Sequence, residues 1–307
     1  MGDTQGSYYD CGIFDLGFGQ ATSVSAGSGN CGLLFVNVNQ TFIERCTCKN
    51  YPGPLFEAYV FEACSALFFS GVEAIGSLSN GFRWTNNCVD MYAVNCLSNS
   101  NGATGFLIQD SQGFYFSNLA AWGNYVAWGL VTVGGRGNEN LWFTDCIGDT
   151  SQQVNWNITN CHMAFFNNCW GSTQKSTTQN IWAGGFLLSG PEVVDLTFTG
   201  GAALVNNSHG VSVDNGASRI SFIGFRFGGS AGPFGVIGNG VGSNGGDGLF
   251  LGTTSNIIVS SCFFCSNNGY GISQGAQASN VNIATCIYIG NTLGDTSSAQ
   301  KPVAPST

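Results

Sequence analysis

Leu141-Trp-Phe-Thr-Asp-Cys146 and Ala164-Phe-Phe-Asn-Asn-Cys169 are two copies of one frame, a short alternating strand that ends in a turn residue and a cysteine. Four more copies are Thr41-Phe-Ile-Glu-Arg-Cys46, Met91-Tyr-Ala-Val-Asn-Cys96, Ile257-Ile-Val-Ser-Ser-Cys262 and Val281-Asn-Ile-Ala-Thr-Cys286. The frame also recurs without cysteine in Leu67-Phe-Phe-Ser-Gly-Val72, Phe114-Tyr-Phe-Ser-Asn-Leu119, Leu196-Thr-Phe-Thr-Gly-Gly201 and Ile220-Ser-Phe-Ile-Gly-Phe225. Ten copies between residues 46 and 286 give a step of about 27 residues, a period that marks a repeat architecture.

A second strand is announced by glycine, as in Gly105-Phe-Leu-Ile-Gln, Gly129-Leu-Val-Thr-Val and Gly185-Phe-Leu-Leu-Ser. Asn- and Gly-rich turns such as Ser98-Asn-Ser-Asn-Gly102 and Ser266-Asn-Asn-Gly269 separate the strands, and no segment sustains helical periodicity. Two or three short strands per turn, stacked in register, describe an all-β fold: a right-handed, single-stranded parallel β-helix of about ten coils. The expected division is an irregular segment over residues 1–30, the β-helix over 31–296 and a tail or linker over 297–307. Polar residues 172–184 and Gly-rich residues 228–247 interrupt the period and are expected to project as loops.

Composition narrows the function. Charged residues are only 8% of the 307, so the polar surface must be built from Asn, Ser, Thr, Gln and Gly, which suits neutral hydrogen-bonding ligands such as sugars. With eight Lys plus Arg and a net charge of −9, nucleic acid is not an expected partner. No apolar run approaches the length of a spanning helix, so no membrane partner is expected. Six of the thirteen cysteines share one inward position and are read as a buried packing file of reduced thiols from a chain folded in a cytosol. No secretory signal is seen at the N-terminus, and Met1-Gly-Asp has the look of an introduced start with further domains upstream.

Phe42, Phe68, Tyr92, Tyr115, Trp142 and Phe165 fall on one outward file, followed by Thr197, Ser221, Ile258 and Asn282. A six-rung aromatic stripe on a solvated face reads as a subunit interface, a platform for pyranose faces, or a surface buried under the N-terminal segment. Among the acids, Asp145 aligns with Asn95, Asn118 and Asn168 at the bend, and Asp90 and Asp195 align with Asn140 and Asn256 just before the strand, which are turn roles. Glycoside hydrolysis needs two carboxylates about 5–9.5 Å apart. The best cluster by position is Glu139, Asp145 and Asp149 on one coil, with Trp122, Arg136, Trp142 and Trp170 beside it as substrate-binding residues. His209 is the other lead: Ser208-His-Gly-Val resembles a segment of the polygalacturonase family, but that family's acidic motifs are missing upstream. His162 has no metal-spaced His or Cys nearby, and neither a metal nor a cofactor is expected.

Residues 30–290, with their Asn-Gly turns, Gly-led strands and uncharged polar surface, resemble the central domain of bacteriophage tailspikes of the pectate-lyase-like β-helix superfamily. That resemblance implies a homotrimer on the virion tail, or an extracellular surface, that binds and cleaves a bacterial surface polysaccharide (capsule or O-antigen). The uncharged composition favours a glycoside hydrolase over a polysaccharide lyase. A non-catalytic glycan-binding adhesin or fibre shaft is the alternative.

Overall fold

A computed structural model of the chain describes residues 11–18, 31–49, 57–135, 137–175, 184–229 and 243–298. The right-handed parallel β-helix expected from the repeat is the fold. Each coil carries three strands, and each strand hydrogen-bonds its counterpart in the coils before and after, so the chain forms three 11-stranded parallel sheets and no helix among the described residues. At about 4.8 Å per rung, eleven rungs make a rod of roughly 48 Å. The stack begins before residue 31, where the sequence placed its start: Cys11–Phe14 pairs with Thr41–Glu44, and Gly17–Phe18 pairs with Thr47–Cys48. Most of the two interrupting segments, and the tail beyond residue 298, lie outside the described residues.

The first sheet contains the cysteine frame. Its inward file runs Ile43, Phe69, Ala93, Phe116, Phe143, Phe166, Phe198, Phe222, Val259 and Ile283, paired rung by rung. The rings of Phe143, Phe166 and Phe198 stack at 5.0 and 4.4 Å, and Trp156 from the third sheet meets Phe166 edge-on at 5.5 Å. The third sheet is the Gly-led strand, with Trp84, Phe106, Trp128, Trp156 and Phe186 inside. Between them runs a sheet of two- and three-residue strands, including Ala120–Trp122, Ile147–Asp149 and Trp170–Ser172. Strands this short carry too little alternation to be seen by period, which is why only the longer two stand out in the sequence.

Each cysteine of the frame donates its thiol to the carbonyl two residues earlier, as Cys146 does to Thr144 at 3.4 Å and Cys262 to Ser260 at 3.2 Å. The next residue back is the bend. Asn95, Asn118, Asp145 and Asn168 there have φ of 56°, 55°, 53° and 52°. Glycine takes the same bend in other coils, with Gly71 at 60° and Gly200 at 63°. Asn, Asp and Gly tolerate this left-handed conformation, so residue type at the bend follows from backbone shape.

A second left-handed column lies inside the first sheet. Asp90, Asn140, Met163, Asp195, Arg219 and Asn256 all have positive φ, and the pairing register skips them in successive strands. One such residue per strand stands opposite one on the next, so no residue is inserted: they form a stack of aligned left-handed kinks within the strands rather than the turn before the strand that the sequence suggested. Met163 and Arg219 hold this shape without the side chains that favour it, because flanking coils dictate it.

The bend between the second and third sheets is held from inside by asparagines. Asn155 Nδ2 donates to Asn206 Oδ1 at 3.1 Å, Asn206 to Asn244 at 3.0 Å, Asn244 to Asn267 at 3.0 Å, and Asn267 to Asn291 at 2.8 Å. Asn101 and Asn124 make the same contact at 2.9 Å. Asn101, Asn124, Asn155, Asn206, Asn244 and Asn267 are buried, so Asn101 and Asn267, in the turns that the sequence set between strands, face inward.

Candidate functional site

The outward file of the first sheet is a continuous stack of rings. Phe42 and Phe68 lie 4.9 Å apart, Phe68 and Tyr92 4.9 Å, Tyr92 and Tyr115 5.0 Å, Tyr115 and Trp142 4.7 Å, and Trp142 and Phe165 5.7 Å. Interplanar angles of 4° to 17° make them face to face. The spacing is that of the coils, so ring planes lie across the rod and the ladder shows solvent its edges. A platform for pyranose faces needs exposed faces. The inner rings have none, and only the ladder's two ends do.

The ladder stops at Phe165, and the next two rungs carry Thr197 and Ser221 before Ile258 restores a large side chain. The step leaves a notch of about 460 Å³ lined by Met163, Phe165, Asp195, Thr197, Arg219, Ser221, Asn256 and Ile258. Beside it, towards the start of the same strands, lies a cleft of about 470 Å³ lined by Glu139, Asn140, His162, Met163, Pro191, Glu192, Val194, Asp195 and Arg219. The left-handed residues Met163, Asp195 and Arg219 border both hollows.

Inside the cleft, His162 Nε2 lies 3.0 Å from Glu192 Oε2. Glu139 is His162's partner one rung away. Two rungs on, Glu139 faces Val194, and Glu192 stands two residues before it, so the Glu139 and Glu192 backbones lie roughly 12 Å apart on a diagonal, with His162 on the rung between. Arg219 clasps Asp195 with two hydrogen bonds, Nε to Oδ1 at 2.7 Å and Nη2 to Oδ2 at 2.9 Å. The Arg219 guanidinium holds the Asp195 carboxyl below its ordinary value, and Asp195 in turn raises Arg219. The pair arises because both occupy the left-handed column on adjacent rungs.

The acids expected to act together are divided. Glu139 opens its strand, whereas Asp145 lies at the far bend, on the order of 15–20 Å along an extended chain. That is beyond the separation of a catalytic pair. Asp145 accepts from Asn168 Nδ2 at 2.7 Å in the bend file, as Asn95 does from Asn118. Asp149 lies on the second sheet, in register with Trp122 and Ser172, and accepts from the Ser172 hydroxyl at 3.0 Å. Trp122 and Trp170 are exposed on that same sheet, and Trp142 belongs to the ladder. Arg136 lies outside the described residues.

Sequence reasoning missed the His162–Glu192 and Asp195–Arg219 contacts, whose partners are 30 and 24 residues apart. Register was the signal that could have found them: aligning Cys161 with Val193 sets Glu192 diagonally beside His162. His209 makes a separate arrangement. Its Nδ1 accepts the Asp247 backbone N–H at 3.0 Å, its ring stacks on Phe250 at 5.0 Å, and burial pushes its pKa down against the opposing charge of Asp247. Among the described residues, no group of three or more His, Cys, Asp or Glu could hold a metal ion.

No protein-family model matches the sequence, and no curated protein matches it. Solved structures do. The catalytic domain of a GH87 alpha-1,3-glucanase in complex with tetrasaccharides aligns at 13% identity over 95% of this chain, with a TM-score of 0.50. The A-module of the mannuronan C-5 epimerase AlgE4 of Azotobacter vinelandii aligns at 12% identity, over 89% of this chain and 77% of its own, with a TM-score of 0.49. The periplasmic alginate epimerase AlgG aligns at 10% identity, over 87% and 77%, with a TM-score of 0.35. The chain spans 52% of the glucanase domain it matches. At these identities the likeness is one of fold.

Proposed function

We propose that this chain is a polysaccharide-acting β-helix protein that binds a bacterial surface glycan across its first sheet and hydrolyses it in the Glu139–His162–Glu192 cleft. The observation that carries this reading is the cleft itself: three carboxylates, an imidazole and one guanidinium converge on a 470 Å³ hollow beside the one aromatic ladder on the surface of the described coils. Glutamate side chains reaching into one cleft from backbones roughly 12 Å apart leave room for a water between them, as an inverting hydrolysis requires, in which one acid protonates the leaving oxygen and the other activates water. Glu139 and Glu192 are the proposed pair. His162, 3.0 Å from Glu192, is placed to set the orientation of that carboxylate. Asp145 and Asp149 are left out because each is turned to a neighbouring Asn or Ser and stands apart from this cleft.

The finer reading is a phage tailspike, a homotrimer on the virion tail. Support comes from the resemblance of residues 30–290 and from the β-helix fold, which the tetrasaccharide-bound glucanase shares. A trimer would also cover the exposed ring edges of the ladder.

The test is incubation of the protein with a panel of bacterial capsules and O-antigens, followed by chain length and product mass. Shortening by the natural protein, and none by E139Q or E192Q, is the expected result. Unchanged shortening by both variants removes the site assignment. Binding of a panel glycan without any shortening favours the non-catalytic adhesin.

A further inference from the structure

The ladder's end differs in kind from its middle. Every inner ring is covered on both faces by neighbours at 4.7–5.7 Å. Phe165 has Trp142 on one face, and its rung neighbour on the other is Thr197. A phenyl ring reaches well beyond a threonine side chain, so the outer part of that second face opens into the notch. The opposite wall is Ile258, three rungs on, 47% exposed. Three rung spacings put the walls about 14 Å apart at the backbone, which leaves roughly 10 Å once van der Waals contact distances are taken off. The floor carries the hydroxyls of Thr197 and Ser221, and one side is the Asp195–Arg219 pair.

We infer that this notch is a stacking subsite for a neutral pyranose, inserted with its ring parallel to Phe165 and at right angles to the rod. The inference rests on the reading of the adjoining cleft as a glycan site and names the sugar class it takes. A pyranose offers an apolar C–H face to the ring and hydroxyls at its rim to Thr197, Ser221 and Asp195. Arg219 is already committed to Asp195 through two hydrogen bonds, so it offers little free charge to an anion. The adjoining cleft sets three carboxylates against that one guanidinium, which repels a uronate. Notch and cleft share Met163, Asp195 and Arg219 and lie side by side along the strands. A glycan seated in both therefore runs across the rod along the strand direction, instead of down the aromatic ladder.

Two variants test this, with maltohexaose, cellohexaose, laminarihexaose and neutral capsular polysaccharides as neutral probes and oligogalacturonate as the anionic one. F165A removes the stacking face. T197F extends the ladder by one ring, covers that face and fills the notch without opening a cavity. Both are expected to weaken binding of the best neutral probe by about tenfold or more, the size of one stacking contact with a desolvated ring. Oligogalacturonate is expected to bind more weakly than that probe. T197F affinity within twofold of the natural protein, or tighter binding of oligogalacturonate, overturns the subsite. If the natural protein binds a neutral probe, T197F loses it, and no glycan is shortened, the notch stands and the hydrolase reading falls. If glycans are shortened equally by the natural protein and T197F, the hydrolase reading stands and the notch falls. No binding of any neutral probe overturns both.

Discussion

Replacing Asn206 by alanine tests whether the buried asparagine file holds the coils in register. Asn206 is 1% exposed, and its side chain makes four contacts. Nδ2 donates to Gly171 O at 3.1 Å and Asn244 Oδ1 at 3.0 Å, while Oδ1 accepts from Asn155 Nδ2 at 3.1 Å and the Gln174 N–H at 3.3 Å. After truncation, Asn155 keeps Ser172 O at 2.8 Å, and Asn244 Oδ1 keeps the Asn206 backbone N–H at 3.2 Å. The buried Gln174 N–H keeps no side-chain acceptor and costs roughly 1–3 kcal/mol, and the weakened neighbours add about 1 kcal/mol more. The expected loss is about 3 kcal/mol, a large share of the 5–15 kcal/mol typical of a domain. Asn118 gives the contrast. It sits in the exposed bend file with φ of 55°, where Gly71 and Gly200 serve in other coils, so N118G is expected to stay within about 1 kcal/mol. Guanidinium unfolding followed by circular dichroism and tryptophan fluorescence measures both. An N206A loss no greater than that of N118G would refute the reasoning.

Other expectations follow from the same geometry. E192Q and E139Q should each lower the rate of glycan cleavage by about 10²–10⁴-fold, the range of a general acid or base, as read by reducing-end release. Burial pushes the Cys96 thiol up to about 12 and raises Cys161, so neither should react with iodoacetamide at pH 8 until the chain is unfolded, as peptide mass mapping would show. His209 accepts a hydrogen bond at Nδ1 that only the neutral ring can accept, and its pKa lies below the ordinary 6.5. The unfolded chain then binds the proton first, so stability present above pH 6.5 should decline as pH falls below it. H209N keeps an acceptor without titrating, so its thermal midpoint should fall less between pH 7 and pH 5. Equal slopes for the two proteins would contradict that role.

Much of the fold was legible because coil packing repeats residue types. Cys46, Cys96, Cys146, Cys169, Cys262 and Cys286 mark one bend, and Phe116, Phe143, Phe166, Phe198 and Phe222 mark the file beside it, so register could be set by eye. The middle sheet was hidden because Ile147–Asp149 and its counterparts are too short to show a period. The inward turn of Asn101 and Asn267 was hidden because asparagine marks exposed turns as readily as buried ladders. The left-handed column was half visible: Asp90, Asn140, Asp195 and Asn256 aligned, while Met163 and Arg219 gave no sign of left-handed backbone. At the candidate site, the six-ring stripe was readable, but whether it offers faces or edges depends on side-chain orientation. Glu139 was singled out for its place on a coil with other acids, whereas its neighbours in space, His162 and Glu192, come from two later coils.

The central claim is that the first sheet, at the step from Phe165 to Ile258 and the cleft beside it, is the glycan-binding face. The most direct test is a crystal structure of the E192Q protein with an oligosaccharide cut from the glycan that the natural protein shortens. The account predicts a sugar ring packed on Phe165, and a chain that runs along the strands to place a glycosidic oxygen between Glu139 and the substituted position 192. A saccharide lying lengthwise over Tyr92, Tyr115 and Trp142, or bound on the second sheet beside Trp122 and Asp149, would contradict it.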